Sequence, residues 1–118
     1  LQYAYTRIYS IFEKTSFGSE DIQGDLQIST NEERKLALVL LYFGETLEQV
    51  AAQGYPHILC SYLYNLASSY MVFYEHCPIL KKDIPPTIKM SRLILSKTTS
   101  QILKKGLNLL GIEVMEKM

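Results

Sequence analysis

The chain has 118 residues, 47% of them hydrophobic and 20% charged, and no net charge at pH 7. That length holds one domain with a real core but not a core plus a separate nucleotide-binding fold, and the composition excludes intrinsic disorder. The charge is unevenly placed, with 4 Lys/Arg against 9 Asp/Glu in residues 1–80 and 8 against 3 in residues 81–118, so the basic end faces either a polyanion or simply solvent.

Tyr5, Ile8, Tyr9 and Phe12 recur at helical spacing and predict an amphipathic helix from residue 1 to about 16, stopped near Gly18. Gly18 to Ser29 reads as an acidic loop. Thr30-Asn31-Glu32-Glu33 is a capping box, in which the Thr hydroxyl and the Glu carboxylate can satisfy backbone N–H groups that a helix start leaves unpaired. Leu36, Val39, Leu40 and Phe43 form the buried stripe of that helix. It continues from Glu45 to Gln53 with a bend at Gly44, and Gly54-Tyr55-Pro56 stops it.

The next helix starts at about His57, turns Ile58, Leu59, Tyr62, Leu63, Leu66, Ala67, Tyr70 and Phe73 inward, and ends at Pro78. Its apolar stretch, His57 to Tyr74, is interrupted by Ser61, Asn65, Ser68 and Ser69, which suits a buried central helix better than a membrane span. Lys81 to Pro86 is a polar loop, and Ile88 to Leu110 is a long last helix closed by Gly111. No run alternates with a period of two and no repeat is present. The expectation is an all-α bundle of about five helices forming one domain over residues 1–118.

His57, Cys60, His76 and Cys77 are ligand types that zinc accepts. The two pairs sit at opposite ends of one predicted helix, roughly 28 Å apart at 1.5 Å per residue, so no metal site is expected within one chain. The same separation leaves Cys77 with His76 as its nearest base, and adjacent helical residues point apart, so no thiol catalysis is expected. Two cysteines with no signal peptide ahead of them make no disulfide framework and suit a reducing cytoplasm. The chain opens inside an apolar pattern without Met, the expectation being a fragment of a larger protein.

Nine tyrosines and no Trp are the compositional oddity. Tyrosine combines an apolar ring with a polar tip, so most should pack in or against the core, while a surface minority could stack unpaired bases beside the C-terminal Lys/Arg set. Spacing does not select which ones.

Three segments carry a family resemblance: Leu1-Gln2-Tyr3-Ala4-Tyr5-Thr6-Arg7-Ile8; Ser61 to Ala67 followed by Phe73-Tyr74-Glu75-His76-Cys77-Pro78; and Gly106-Leu107-Asn108-Leu109-Leu110-Gly111-Ile112-Glu113 running to Met118. In this order and spacing they resemble the C-terminal domain of arginyl-tRNA synthetases, of the DALR anticodon-binding type found in class I synthetases. The ending Glu116-Lys117-Met118 matches that family's final E-[RK]-M, whereas the literal quartet D-A-L-R is absent and the Gly18–Ser29 loop matches least. The resemblance implies a parent arginine-tRNA ligase that uses ATP in catalytic and N-terminal domains not contained here. It implies a non-catalytic role for this chain in binding the anticodon stem and loop of tRNA for arginine, with the remaining synthetase domains as its other partner. Neither a bound cofactor, DNA nor a membrane is expected.

By matching position, the residues implied at the anticodon are Tyr3, Tyr74 and Met118. Arg7 would act as a phosphate or structural partner. Tyr3 and Tyr74 could instead pack in the core, and Met118 could simply pin the tail. Lys97, Lys104 and Lys105 are candidate phosphate contacts or part of a solvated face.

His57-Ile58-Leu59-Cys60 imitates the class I catalytic string H-I-G-H, but Leu replaces the Gly that lets a nucleotide approach the backbone, and Cys replaces the second imidazole. Lys89-Met90-Ser91-Arg92-Leu93 imitates K-M-S-K-S, yet opens a helix where that signature belongs to a mobile loop. No Gly-rich phosphate loop accompanies them. The competing reading is a helical protein-interaction module whose basic end is incidental. An independent small enzyme ranks last, lacking any assembled nucleophile, base or metal set.

Overall fold

The computed structural model of the chain describes residues 2–14, 26–54, 56–79, 81 and 83–111, with the side chains of Gln2, Tyr3, Phe12 and Lys14 outside the described set. Among the described residues five helices follow one another: α1 (Gln2–Lys14), α2 (Asn31–Leu41), α3 (Phe43–Gln53), α4 (Pro56–His76) and α5 (Pro86–Leu109). The all-α expectation holds. The predicted stop near Gly18, the loop as far as residue 25 and the tail from residue 112 lie outside the described residues.

α2 begins where the capping box placed it. Thr30 stands in extended conformation and its hydroxyl accepts from the Glu33 amide at 3.1 Å. The Glu33 carboxylate, expected to cap backbone N–H groups, instead accepts through Oε1 from the hydroxyls of Thr30 and Ser29, each at 3.0 Å. α2 and α3 are separated by Tyr42 alone, so the bend falls two residues before Gly44. The Tyr62 hydroxyl donates to the Val39 carbonyl at 2.6 Å, and the Tyr42 amide reaches the same carbonyl at 3.2 Å, tightening the turn there. Gly54, at φ 71, closes α3 in the left-handed conformation that glycine adopts without a Cβ penalty.

α4 is the central element and packs against each of the other four helices. Leu59, Tyr62, Leu63, Leu66, Ala67, Tyr70 and Phe73 are buried along its inward face, as the periodicity predicts, whereas Ile58 is only half-buried. Complete burial of such apolar side chains stabilises by about 1.5–3 kcal/mol each. The core is completed by Ala4, Tyr5, Ile8 and Ile11 of α1, Leu36 of α2, and Leu93, Leu95, Leu103 and Leu107 of α5. α5 comes close to α4 at Gly106, where a Cβ would stand 2.6 Å from Leu63 Cδ2. It starts at Pro86, two residues before the predicted Ile88, because a proline lacking an N–H fits the first helical turn. No helix among the described residues is long and apolar enough to cross a membrane.

Candidate nucleic-acid interface

The structure brings two of the sequence-predicted residues together. The Arg7 guanidinium carbon of α1 lies over the Tyr74 ring of α4, 5.4 Å from its centroid, within the range in which a cation is held by an aromatic face. Tyr74 is half-buried and its ring lies 6.4 Å from that of Tyr70, centroid to centroid. Tyr70 is the fully buried root of this cluster. Its hydroxyl is 3.0 Å from Ser96 Oγ, and burial pushes its ionisation up more strongly than the Ser96 hydrogen bond and Arg7 pull it down.

Tyr74 also forms part of a groove between α1 and the end of α4, completed by Ile11, Glu75, Pro78, Ile79 and Lys81. Apolar walls with one carboxylate and one ammonium among the lining side chains suit a planar group that carries hydrogen-bond donors beside an anion. Glu75, Ile79 and Lys81 were not singled out in the sequence. The nearest signal is their place in the stretch after Phe73-Tyr74, where Pro78 breaks the helical period.

Lys104 and Lys105 are exposed on α5 and line a shallow open groove with Gln101, Asn108 and Leu109. Lys97 is half-buried and lies seven residues before Lys104, on the same helix face at about two turns' distance. The three lysines thus recur along α5, with Lys97 next to the Ser96 that bonds Tyr70. For Tyr3 only the backbone, within α1, is described, and Met118 lies outside the described residues.

Of the other tyrosines, the structure buries Tyr5 and Tyr62, half-buries Tyr9 and exposes Tyr42 and Tyr64. His57 and Cys60 stand in the first turns of α4, with His76 and Cys77 at its far end. Among the described residues no group of three or more His, Cys, Asp or Glu is gathered as metal ligands would be. Cys77 is buried, its Sγ lies 3.3 Å from Thr30 Oγ1, and burial pushes its thiol up. The Lys89-Met90-Ser91-Arg92 string is helical. Ser91 pins residue 27 to α5 by accepting from the Gln27 amide at 2.7 Å, and Arg92 is buried.

An aromatic groove beside the end of α4 and lysines along α5 define the class: an all-α domain with a candidate binding surface. A sequence model of the DALR anticodon binding domain matches residues 1–118, and the chain belongs to that family. It is 51% identical over 118 residues to an arginine-tRNA ligase of Saccharophagus degradans and 58% identical over 120 residues to one of Blochmanniella floridana. Each alignment takes in 100% of the chain and 20% of the relative. The solved arginyl-tRNA synthetase of Thermus thermophilus superposes with a TM-score of 0.86 at 36% identity, over 99% of this chain and 20% of that one. The chain therefore spans about one fifth of the length of the relatives it matches.

Proposed function

We propose that this chain is the part of an arginine-tRNA ligase that grips the anticodon stem and loop of tRNA for arginine. The observation that carries the reading is the Arg7–Tyr74 pair beside the groove at the end of α4, in a chain that matches the DALR family from end to end. An unstacked base lies against Tyr74, and Lys97, Lys104 and Lys105 meet phosphates along α5. Tyr3 and Met118 complete the contacts to the loop. Arg7 acts first on Tyr74, holding the ring, and only through it on the RNA. The chain performs no chemistry and holds no cofactor. ATP is consumed in the remaining domains of the ligase, which are its other partner, and the assembly works in the cytoplasm.

A second reading has one observation in its favour. Leu38, Leu41 and Tyr42 are exposed at i, i+3 and i+4 on and just beyond α2, an apolar face suited to another protein domain. Titrating tRNA binding against salt separates the readings. Phosphate contacts make affinity fall steeply and log-linearly with salt, whereas docking through an apolar face barely responds.

A further inference from the structure

Two buried charges stand behind the Tyr74 groove. Glu33 is fully buried in the first turn of α2, and Arg92 of α5 is 9% exposed. Arg92 Nη2 approaches Glu33 Oε1 to 3.6 Å, while Nη1 of the same guanidinium donates to the Pro78 carbonyl at 2.6 Å. Pro78 and Ile79 belong to the groove wall. Cys77, just before them, reaches the Thr30 hydroxyl, which itself donates to Glu33 Oε1. The segment that follows α4 is therefore held at two consecutive residues by one buried cluster joining α2, α4 and α5.

Stability alone is a poor reason for this cluster. Glu33 Oε2 and Arg92 Nε are buried and have no hydrogen-bond partner among the described residues. An ion pair that leaves part of its bonding capacity unused repays little of its desolvation cost, and apolar residues of similar volume often stabilise as well or better. What an apolar pair could not do is fix a backbone carbonyl at a defined point. We infer that Arg92 and Glu33 are positioning residues for the groove, setting through the Pro78 carbonyl the wall against which a base on Tyr74 rests. The inference rests on the proposed RNA-binding reading. Arg92 itself, buried, makes no phosphate contact.

The test uses Arg92→Lys and Arg92→Met in the full chain, with a transcribed arginine anticodon stem–loop as probe and backbone amide hydrogen exchange as a second readout. Lys keeps the charge opposite Glu33 but lacks the planar fork that reaches two acceptors at once, so it is the variant expected to fold if Met does not. Folded variants should exchange the Cys77 and Ile79 amides faster while α3 amides keep their rates. They should bind the hairpin about tenfold more weakly, a mid-range coupling, with the salt slope unchanged. In a Tyr74→Ala background the same substitution should add less than about threefold, because the wall has lost what it positions. Unchanged exchange at residues 77 and 79, or unchanged binding by a folded variant, overturns the inference, as does a loss undiminished in the Tyr74→Ala background. Failure of the parent chain to bind the hairpin instead overturns the RNA-binding reading, and the positioning role with it, whereas the exchange rates still report whether Arg92 holds the wall.

Discussion

Arg7 of α1 and Tyr74 of α4 are 67 positions apart in sequence, yet the guanidinium carbon lies 5.4 Å from the centre of the ring. The contact ties the first helix to the end of the central one at the mouth of a groove. It also fixes the orientation of an aromatic face without burying the whole ring, which a base-stacking platform requires. A cation over an aromatic face contributes about 0.5–1 kcal/mol when solvent-exposed, enough to bias a ring's position but not to hold the domain together.

Stacking and charge should fail differently when removed. Tyr74→Ala should weaken anticodon hairpin binding by about 1–3 kcal/mol with the salt slope unchanged. Tyr3→Ala should do the same, on the strength of the family resemblance. Lys104→Ala or Lys105→Ala should flatten the slope by about 1 per residue and leave anticodon preference intact. Circular dichroism first establishes that each variant is folded. Folded tyrosine variants that bind as tightly as the parent would return both tyrosines to the scaffold.

The close approach of α5 to α4 makes Gly106 sensitive to a single methyl group. A Cβ there stands 2.6 and 2.8 Å from the two Leu63 methyl carbons, and Leu63 is itself fully buried, so it has little room to turn aside. Overpacking of about 1–3 kcal/mol should exceed the gain of about 1 kcal/mol in helix propensity. Denaturant unfolding of Gly106→Ala should show a net loss. The double variant with Leu63→Ala should lose less than the sum of the two singles, and strict additivity would contradict the contact.

Much of this architecture is written in local sequence, and the parts that are not have physical causes. The Thr30 N-cap, the Gly54 stop and the period of α4 each depend on neighbours within a turn or two, so sequence carries them directly, whereas the Glu33 half of the capping box is redirected to the Ser29 and Thr30 hydroxyls. α5 starts two residues ahead of the Ile88 that periodicity predicts, because Pro86 resembles a loop residue in sequence yet fits a first helical turn. The bend at Tyr42 answers to the Tyr62 hydroxyl, 20 residues away in sequence. The Glu33–Arg92 pair escapes sequence for the same reason: Glu33 reads as a helix cap and Arg92 as part of a helix-opening string, and nothing local announces a partner on another helix. The resemblance supplied Arg7 and Tyr74 as separate residues. Their contact, and the groove beside them with Glu75 and Lys81, came only from the packing of α1 against α4.

Alkaline conditions should weaken the fold. Burial pushes Tyr62 from its ordinary 10.0 to about 12 and raises Tyr70 as well. Between pH about 10 and about 12 the unfolded chain releases these protons while the folded chain keeps them, so stability present below that window is lost as pH rises through it. The raised Cys77 thiol opens the window slightly earlier. Melting temperatures should therefore decline from about pH 9 upward, with a shallower decline in Tyr62→Phe. A flat profile over that range would contradict the burial of these groups.

Zinc and chelators should leave the melting temperature unchanged, since the His57/Cys60 and His76/Cys77 pairs stand at opposite ends of α4 and a metal that bound the native state would raise it. ATP should likewise produce no shift, as no Gly-rich phosphate cradle is present. A large shift with either would point to a site not assembled among the described residues.

Whether this domain reads an anticodon is decided by exchanging the anticodon within one transcribed tRNA and measuring the affinity of the chain for each version at fixed salt. Everything outside the loop then stays constant, so phosphate contacts cancel and only base readout remains. The arginine anticodon should bind at least about tenfold tighter, or about 1.4 kcal/mol, and Tyr74→Ala should reduce that ratio. Equal affinity for arginine and non-arginine anticodons would show that the chain does not read the anticodon bases.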